Sequence, residues 1–599
     1  MSNMKKYSIF LSVLALVGML VSCESQLNVQ NPNNQTTEDF GNSEADLEEA
    51  LIACYNHTRM EGTTARVGYT MDAVRGDEVW NASQVWYLPY DNLNAPNTDE
   101  IGNQWIWRDW FYAINRCNFV LTKVGDSASV LGLSDAAYKR IKGQALFIRA
   151  FSYYELATYY QTVPLFTDYS EYGSLETIFA GNATQDEIFD LIEADLKEAM
   201  EILPSRDSGG EFAKGRATCG SAAGYYARAL MFRHKYSEAL AVLKDIIGGT
   251  YGHYQLMADY GDNFREGAAY ENNAESLYEV QYMDYGTQGT DDEWTPVNVS
   301  SNATNGHAVE SNFAPAYFGG WADLSMAPWL YSLFKGETCT DGTIDPRLYW
   351  TSSAYEPDYD YYKGAHTAAY PSGDVRDNVV YMEQITTETK DAICTNGTNG
   401  GIPIAKHTYA RLNTISSVVT GLHCGVNLRM MRYSDVLLRA AECINEVSGP
   451  TAEAIGYINQ VRNRAGLASL NLSDFGSADK LFEQIANVER PKEFGCENGR
   501  GIDLIRWGFF YDEGRLAQLR EHGSFLKVPY VSTDYPVDKS DPSYDSSFNY
   551  FRPGHEYFPI AQSTLNANPH LTGNSANTNT DNGPEWKQKY GSVHPVVAL

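Results

Sequence analysis

The chain has 599 residues, of which 43% are apolar and 20% are charged, so it can form a packed core and is not broadly disordered. A formal charge of −31 argues against binding to nucleic acid, because the phosphate backbone attracts basic surfaces. The same charge is repelled by anionic lipid, so membrane attachment has to be covalent or made through a partner.

The amino terminus predicts export and lipidation. A basic pair precedes an apolar run over residues 9–21, which has the length of a secretory signal and is too short to span a bilayer comfortably. The run ends in LVSC at residues 20–23, which resembles the lipobox of bacterial lipoproteins. We therefore predict a signal peptide over 1–22, lipidation of Cys23 and a lipidated polar tether over 23–42. The alternative is an ordinary cleaved signal peptide followed by an incidental cysteine.

Residues 43–247 carry the periodicity of packed helices. The helix over 138–161 is apolar or aromatic on most of its circumference, so we expect it to be buried among other helices. Thr184 and Glu187 form a capping-box pattern that starts a further helix. A helix pair follows over 216–247, where small residues are set against aromatic ones as in tetratricopeptide repeats.

Residues 427–467 predict an antiparallel helical hairpin. Apolar residues within 436–444 and within 454–461 recur at i, i+3 and i+4 spacing, the period of a buried helical stripe. The segment SGPT at 448–451 ends one helix and caps the next, because Gly ends helices at little cost and Thr accepts from free backbone N–H groups. With this hairpin as the last, the sequence predicts about four helix pairs.

Two regions lack helical periodicity, namely 62–102 and 248–426. They are rich in aromatic, glycine and short polar residues, and such sequence does not form a separate large core. We therefore predict a single domain over 43–599, in which a helical scaffold (43–247 and 427–510) carries these regions as loop-rich, ligand-facing insertions.

Eight cysteines remain after Cys23, without the CxxC or Cys/His clusters that zinc binding needs. Cys339 and Cys394 lie in loop-like sequence and are the best candidates for a disulfide in an oxidising compartment. The pairing of the other cysteines stays open.

Five segments, in chain order, resemble the SusD/RagB family. They are the R-A-x-x-Y-Y helix within 144–164, the N-x-E-x-x-x-E-x-Q-Y strand at 273–282, the hairpin at 427–467, the E-R-P-K-E-F and D-L-I-R-W-G motifs within 489–508, and Phe558-Pro559-Ile560 followed by Asn568-Pro569. The match spans nearly the whole mature chain and stands behind a lipoprotein signal.

This resemblance implies a mainly α, SusD-like fold, in which tetratricopeptide-like helix pairs form a right-handed superhelical scaffold. It also implies a lipid-anchored protein of the outer membrane, facing the cell exterior and forming the lid of a SusC-like TonB-dependent transporter. Members of the family bind glycans and have no known catalytic role. Some relatives serve peptide importers, so oligopeptide capture by the lid of a RagAB-like importer is the alternative.

The charged residues of the family motifs are expected to link helices by charge-assisted hydrogen bonds rather than to contact ligand. They are Arg429, Arg432, Glu442, Arg462, Arg464, Glu489, Arg500, Asp503 and Arg506.

Ligand binding is instead expected in the insertions. A sugar ring presents C–H groups on its faces, which aromatic rings cover, and hydroxyls at its edge, to which Asp, Asn and Arg can hydrogen-bond. The first insertion supplies both kinds of group, and its candidate residues are Arg75, Asp77, Trp80, Asn81, Trp86, Tyr87 and Tyr90. Tyr317 and Trp321 are a second candidate pair in the longer insertion. For each residue, the alternative is an aromatic plug that anchors its loop.

Carboxylate clusters raise the question of catalysis. Asp291-Asp292-Glu293, and Asp358 with Asp360, could in principle act as the acid and base of a glycosidase. Such clusters in Gly- and Tyr-rich loops are usually solvated, and a few hold Ca²⁺. No GxSxG, HExxH or phosphate-binding loop occurs in the sequence. We therefore predict no enzymatic activity and no cofactor, with a structural Ca²⁺ ion as an open alternative.

Overall fold

A computed structural model describes most of the chain. The described residues are 40–81, 84, 86–98, 101–127, 132–210, 214–283, 306–314, 320–321, 323–352, 402, 404–408, 424–526 and 544–599. The signal peptide, Cys23 and most of the tether lie outside these ranges, as do Cys394 and the acidic clusters at 291–293 and 358–360. The predictions made for them therefore stay predictions.

A stack of long helices forms the body of the molecule. The helices of ten or more residues in the described ranges are α1 (Glu44–His57), α2 (Ile101–Ser127), α3 (Asp135–Tyr160), α4 (Gln185–Ile202), α5 (Cys219–Phe232), α6 (Tyr236–Ile247), α7 (Tyr433–Ser448), α8 (Ala452–Arg464) and α9 (Glu513–His522). From α1 to α8, each helix packs against the next. This order gives four successive helix pairs, which confirms the predicted mainly helical scaffold of about four pairs.

The stack is continuous across the long insertion. Helix α6 packs directly on α7, although residues 248–432 separate them in the chain. Both ends of this excursion meet in one antiparallel ribbon, in which β2 (Ser276–Val280) pairs with β4 (Leu428–Arg432). The insertion therefore leaves the helical stack and returns to it at the same place.

Local sequence signals set the helix ends as expected. Thr184 accepts a hydrogen bond from the Glu187 backbone N–H at 3.3 Å, and the Glu187 carboxylate accepts from the Thr184 N–H at 2.9 Å, which completes the capping box of α4. Gly449 follows α7 with a φ of +74°, a conformation in which a side chain would be strained. Thr451 caps α8 by accepting from the Ala454 N–H at 3.2 Å.

The remaining strands have three residues each, and the remaining helices have fewer than ten residues. Strand β1 (Val79–Asn81) pairs with β3 (Leu324–Met326), and β5 (Ser524–Leu526) pairs with β6 (Tyr544–Ser546), both antiparallel. The shorter α-helices are Val67–Val74, Leu88–Asp91, Leu175–Ile178, Val309–Phe313, Pro328–Lys335, Pro346–Thr351, Ala478–Gln484, Arg490–Phe494, Arg500–Arg506, Gln562–Ala567, Ser575–Thr578 and Gly583–Tyr590. In the part of the chain that the structure describes, π-helical turns occur at Glu61–Ala65 and Ile485–Glu489. Within the described ranges, no helix combines the length and the apolar character needed to cross a bilayer.

A buried network of ion pairs joins the last helix pair to the segments that follow it. Arg432 donates to Glu275, Glu493 and Glu497 at 2.7 to 2.8 Å, and all four side chains are at least nine-tenths buried. The other family-motif residues pair in the same way: Arg429 with Glu279, Arg462 with Glu489, Arg464 with Glu275 and Glu493, Arg500 with Asp77, and Arg506 with Glu442 and Asp503. The prediction that these residues hold the scaffold together is confirmed.

The carboxyl-terminal segment is fixed to the helix stack through His594. Its Nδ1 lies 2.6 Å from Asp479 and its Nε2 lies 2.9 Å from Glu446, while the ring stacks on Phe482 at 4.1 Å. Arg515 donates to the His594 carbonyl at 2.8 Å. Burial acts to lower the pKa of His594, but the hydrogen bonds and charges of the two carboxylates outweigh it and raise the pKa above its ordinary value.

We expect His594→Asn to destabilise the fold more in weak acid than in base. The pKa of His594 is higher in the folded than in the unfolded chain, so its stabilisation is complete below the unfolded pKa and is lost as pH rises through the folded pKa. The loss of unfolding free energy should be about 1 kcal/mol larger at about pH 5.5 than at about pH 9, measured by urea denaturation. His570→Asn is the control, at an exposed histidine whose Nδ1 lies 2.6 Å from the Phe179 carbonyl rather than from a carboxylate. An equal loss at both pH values would contradict the proposed charge state.

Candidate functional site

The β1–β3 ribbon brings the two insertions together. Asn81, the last residue of β1, pairs with Leu324, the first residue of β3. Residues that follow β1 and residues that precede β3 therefore leave the same end of the ribbon. Trp86 belongs to the first group and Trp321 to the second, so the fold joins candidate residues that are far apart in the sequence.

Trp321 is the most exposed of the candidate rings that the structure describes. The residue keeps 38% of its surface accessible, and its backbone N–H donates to the Ser311 carbonyl at 2.6 Å. The guanidinium of Arg66, which is 2% exposed, lies over the ring at 5.3 Å. Arg66 is in turn ion-paired with Glu61 in the adjoining π-helical turn. The indole is thus exposed to solvent while its support is fixed in the core.

Trp86 is half-buried and has a comparable support. Its ring stacks on that of Tyr87 at 3.8 Å and 27°. Tyr87 is fully buried, and its hydroxyl shares a 2.5 Å hydrogen bond with that of Thr70. Thr70 also donates to the backbone carbonyl of Arg66 at 2.9 Å. A continuous series of contacts therefore links Trp86, through Tyr87 and Thr70, to Arg66 beneath Trp321. We call Trp86 and Trp321 the tryptophan pair.

Charged side chains border this support. Arg108 donates to Asp109 at 2.7 Å, and Asp109 accepts from the Gly62 backbone N–H at 2.9 Å. A Cβ at Gly62 would lie 2.2 Å from the Trp105 carbonyl oxygen, so the close approach of the two segments requires glycine. Burial raises the pKa of Glu61, although Arg66 acts against it. Sequence reasoning missed Glu61 and Arg66, and the short Gly-rich stretch around them carries no recognisable motif.

The expectation that Arg75 and Asp77 lie open to ligand is wrong, because both are 1% exposed and ion-paired. Arg75 pairs with Asp72 at 2.6 Å and donates to the Thr158 carbonyl at 2.7 Å. Asp77 accepts two hydrogen bonds from Arg500, at 2.6 and 2.9 Å. The Arg75 contact with Thr158 ties the first insertion to α3, and the Asp77 contacts with Arg500 tie it to the carboxyl-terminal half of the chain.

The other residues of the first candidate group are buried as well, apart from Trp86. Tyr87 and Tyr90 are fully buried, and the Tyr90 ring meets Phe558 at 4.8 Å. Trp80 is 7% exposed within β1, and Asn81, at 8%, exchanges hydrogen bonds with the Gln84 backbone at 2.8 and 3.0 Å. Among the candidate residues that the structure describes, the expected open aromatic surface therefore reduces to Trp86 and Trp321. Tyr317 lies outside the described residues.

We expect Asp77→Asn to act on stability. Burial alone would raise the pKa of Asp77, but Arg500 and His522 hold it well below its usual range. The substitution removes the closest counter-ion of the buried Arg500 and leaves the more distant Glu78, at 3.9 Å, as its ion-pair partner. It should therefore lower the unfolding free energy by about 3 kcal/mol at neutral pH. The difference should shrink in acid, since a lowered folded pKa gives stability that is lost as pH falls. Urea denaturation at several pH values is the measurement. An unchanged denaturation midpoint at neutral pH would contradict the expected loss of stability.

Among the described residues, no group of three or more His, Cys, Asp or Glu side chains is arranged to hold a metal ion. Cys339 is buried, and its thiol donates to the Ala465 carbonyl at 3.2 Å. Its predicted pairing with Cys394 stays a prediction.

The architecture is that of SusD-like proteins. A SusD superfamily protein from Bacteroides vulgatus superposes with a TM-score of 0.65 at 24% identity, covering 90% of this chain and 100% of that chain. Surface glycan-binding protein A from Bacteroides thetaiotaomicron, solved in complex with laminarihexaose, gives a TM-score of 0.63 at 22% identity, over 89% of this chain and 99% of that one. At these identities the likeness establishes the fold.

The family follows from the sequence match. The model of the SusD family matches residues 274–577, and a second model, described as starch-binding and associating with outer membrane, matches 26–231. A SusD-like protein of Formosa agariphila is 25% identical over 516 residues, covering 84% of this chain and 92% of the relative. The chain belongs to the SusD family.

Proposed function

We propose that this protein is a lipid-anchored, glycan-binding protein of the outer-membrane surface, which captures oligo- or polysaccharide and delivers it to a SusC-like TonB-dependent transporter. The observation that carries the proposal is the tryptophan pair: two indoles that solvent reaches are mounted on a buried series of contacts. Aromatic faces held in this way suit the C–H faces of sugar rings, and little ordering entropy is lost when a ligand stacks on them.

Similarity to known proteins supports the same function. One similar structure contains laminarihexaose, and another is described as a laminarin-binding SusD-like protein. The family description that matches the amino-terminal part names starch binding and association with the outer membrane. Lipidation at Cys23 would supply the anchor, and the transporter partner follows from the family resemblance. Catalysis is not part of the proposal, because the Trp86–Trp321 region has the chemistry of a binding surface.

The test compares two classes of ligand. Affinity electrophoresis of the mature protein through gels that contain different neutral polysaccharides is expected to retard it in at least one gel. Calorimetry with a set of oligopeptides should give no heat of binding. Binding of oligopeptides without retardation by any polysaccharide would replace the proposal by the peptide-capture alternative.

A further inference from the structure

A concave surface lies at the helix Gly583–Tyr590, which is distant in the sequence from β1 and β3. Two cavities of about 580 and 430 Å³ share Asp186, Trp586, Lys589 and Tyr590 in their linings. Both volumes fall within the range of about 300 to 1,000 Å³ that is usual for small-molecule sites. We call the two cavities together the C-terminal cleft, with a larger and a smaller lobe.

Aromatic rings in fixed positions form the wall between the lobes. Trp586 is partly exposed, and at Gly508, with a φ of +72°, a Cβ would lie 2.7 Å from the Trp586 ring. His234 meets Trp586 edge-on at 5.4 Å and stacks on Tyr590 at 4.0 Å, while Tyr511 lies 5.8 Å from Trp586. These contacts with Gly508, His234 and Tyr511 restrict the rotation of the indole and keep it from filling the cleft.

The smaller lobe is lined mainly by amides and hydroxyls. The residues that supply them include Gln161, Thr162, Asn182, Thr184, Thr580 and Asn582. Amide and hydroxyl groups both donate and accept hydrogen bonds, which matches the mixed character of sugar hydroxyls. A partly exposed indole beside such groups offers a face for a sugar ring and partners for its edge.

The charges in the cleft are balanced, which indicates the charge of the ligand. Lys589 pairs with Asp186 at 2.5 Å, Arg233 pairs with Glu193 at 2.9 Å, and Lys235 pairs with Glu193 at 2.7 Å. No cation in this set lacks a carboxylate partner. A phosphate or a polyanionic glycan would have to displace these carboxylates, whereas a neutral ligand would not.

Two of the residues that line this cleft have a strained backbone. Gln161 and His234 adopt φ values of +64° and +55°, a region that non-glycine residues rarely occupy. Gln161 follows α3 and lines the smaller lobe, and His234 lies just beyond α5 and lines the larger one. Strained residues of this kind cluster at binding sites, where the surrounding structure over-determines them.

We propose that the C-terminal cleft is a second carbohydrate-binding site, which takes a neutral saccharide with one sugar ring against Trp586 and its hydroxyls toward the amides of the smaller lobe. The site is independent of the tryptophan pair, since none of the cleft-lining residues contributes to the support of Trp86 or Trp321. A chain with two separate saccharide sites would hold a polysaccharide at two points and gain retention from the raised effective concentration of the second contact.

The experiment removes each site alone and then both. The proteins are the mature chain, the double variant Trp86→Ala/Trp321→Ala, the single variant Trp586→Ala, and the combination of all three. Affinity electrophoresis uses neutral polysaccharides, and calorimetry uses laminarihexaose, maltohexaose and cellohexaose. The double variant should still bind saccharide, with a lower affinity than the wild type. Adding Trp586→Ala should reduce this residual affinity about tenfold or more.

Trp586 is partly buried, so its replacement could reduce binding by destabilising the fold. Two further variants distinguish that effect from a direct loss of ligand contact. Glu585→Ala removes an exposed carboxylate from the lining of the smaller lobe and should weaken the same residual binding about threefold, with Tm unchanged. Lys587→Ala lies on the same helix but lines neither lobe, and it should leave binding unchanged.

Each alternative result has a definite reading. The proposed cleft is overturned if the double variant binds none of the saccharides, if Glu585→Ala and Trp586→Ala leave its residual binding intact, or if oligopeptides bind there instead. Loss of all binding in Trp586→Ala, with the double variant equal to the wild type, would support the cleft and overturn the role of the tryptophan pair. No saccharide binding by the wild-type chain would overturn both.

Discussion

Replacing Arg432 with methionine is expected to lower the free energy of unfolding by about 3 to 5 kcal/mol, enough to leave much of the protein unfolded at 37 °C. The side chain is fully buried and donates to Glu275, Glu493 and Glu497, so its loss leaves three buried carboxylates short of positive charge. Burial acts to raise the pKa of Glu493, but the arginines Arg464 and Arg432 hold it well below its usual range. Removing one of these cations therefore leaves the buried Glu493 carboxylate with less compensating positive charge.

Urea denaturation followed by circular dichroism would measure this loss. Lys139→Met is the matched control, since it also replaces a cation with methionine but does so in an exposed pair with Asp135 on α3. The control should behave like the wild type, because exposed ion pairs contribute little. If Arg432→Met were as stable as the control, the buried network would not be holding the last helix pair to the segments that follow it.

The combined substitution Trp86→Ala/Trp321→Ala is expected to weaken polysaccharide retention by at least about tenfold, because each indole offers a face that alanine cannot replace. Of the two single substitutions, Trp321→Ala should affect binding with less effect on stability, since Trp321 keeps 38% of its surface accessible and supports little of the core. Trp86→Ala uncovers one face of the buried Tyr87 ring and should lower Tm slightly. Affinity electrophoresis gives the retention, and thermal melting gives Tm.

Tyr112→Ala is the matched control for this experiment. Tyr112 is an exposed ring, 41% accessible, on α2 of the helical scaffold. Its removal should change neither retention nor Tm appreciably. A large fall in Tm for Trp86→Ala or Trp321→Ala, together with lost binding, would identify that ring as a plug that anchors its loop.

The scaffold could be predicted because its signals are local. Periodic apolar residues, the Thr184 capping box and the Gly449 break each act within a few residues of where they stand, and the structure places helices where they predict them. The ion pairs of Arg432 and the other motif residues were expected for a different reason. That expectation rests on the family resemblance together with the strength of charge-assisted hydrogen bonds.

The candidate site could be predicted only in part. The helix Val67–Val74 and strand β1 are buried on every side, so neither shows the alternation that marks an exposed face. From the sequence, the aromatic and acidic residues in and around them are therefore predicted to lie in exposed loops. The partner that buries Asp77 is Arg500, more than four hundred residues further on, and no local pattern indicates that pairing.

The closure of the long insertion by the β2–β4 ribbon has a consequence for how such proteins diversify. The chain leaves and rejoins the helix stack at neighbouring strands, so the parts of the intervening span that do not pack on the core can lengthen, shorten or change composition without moving α6 relative to α7. The entropy of closing a loop rises only slowly with its length, so such changes cost little stability. The composition of the insertion and the geometry of the helix stack can thus evolve as separate traits on one polypeptide.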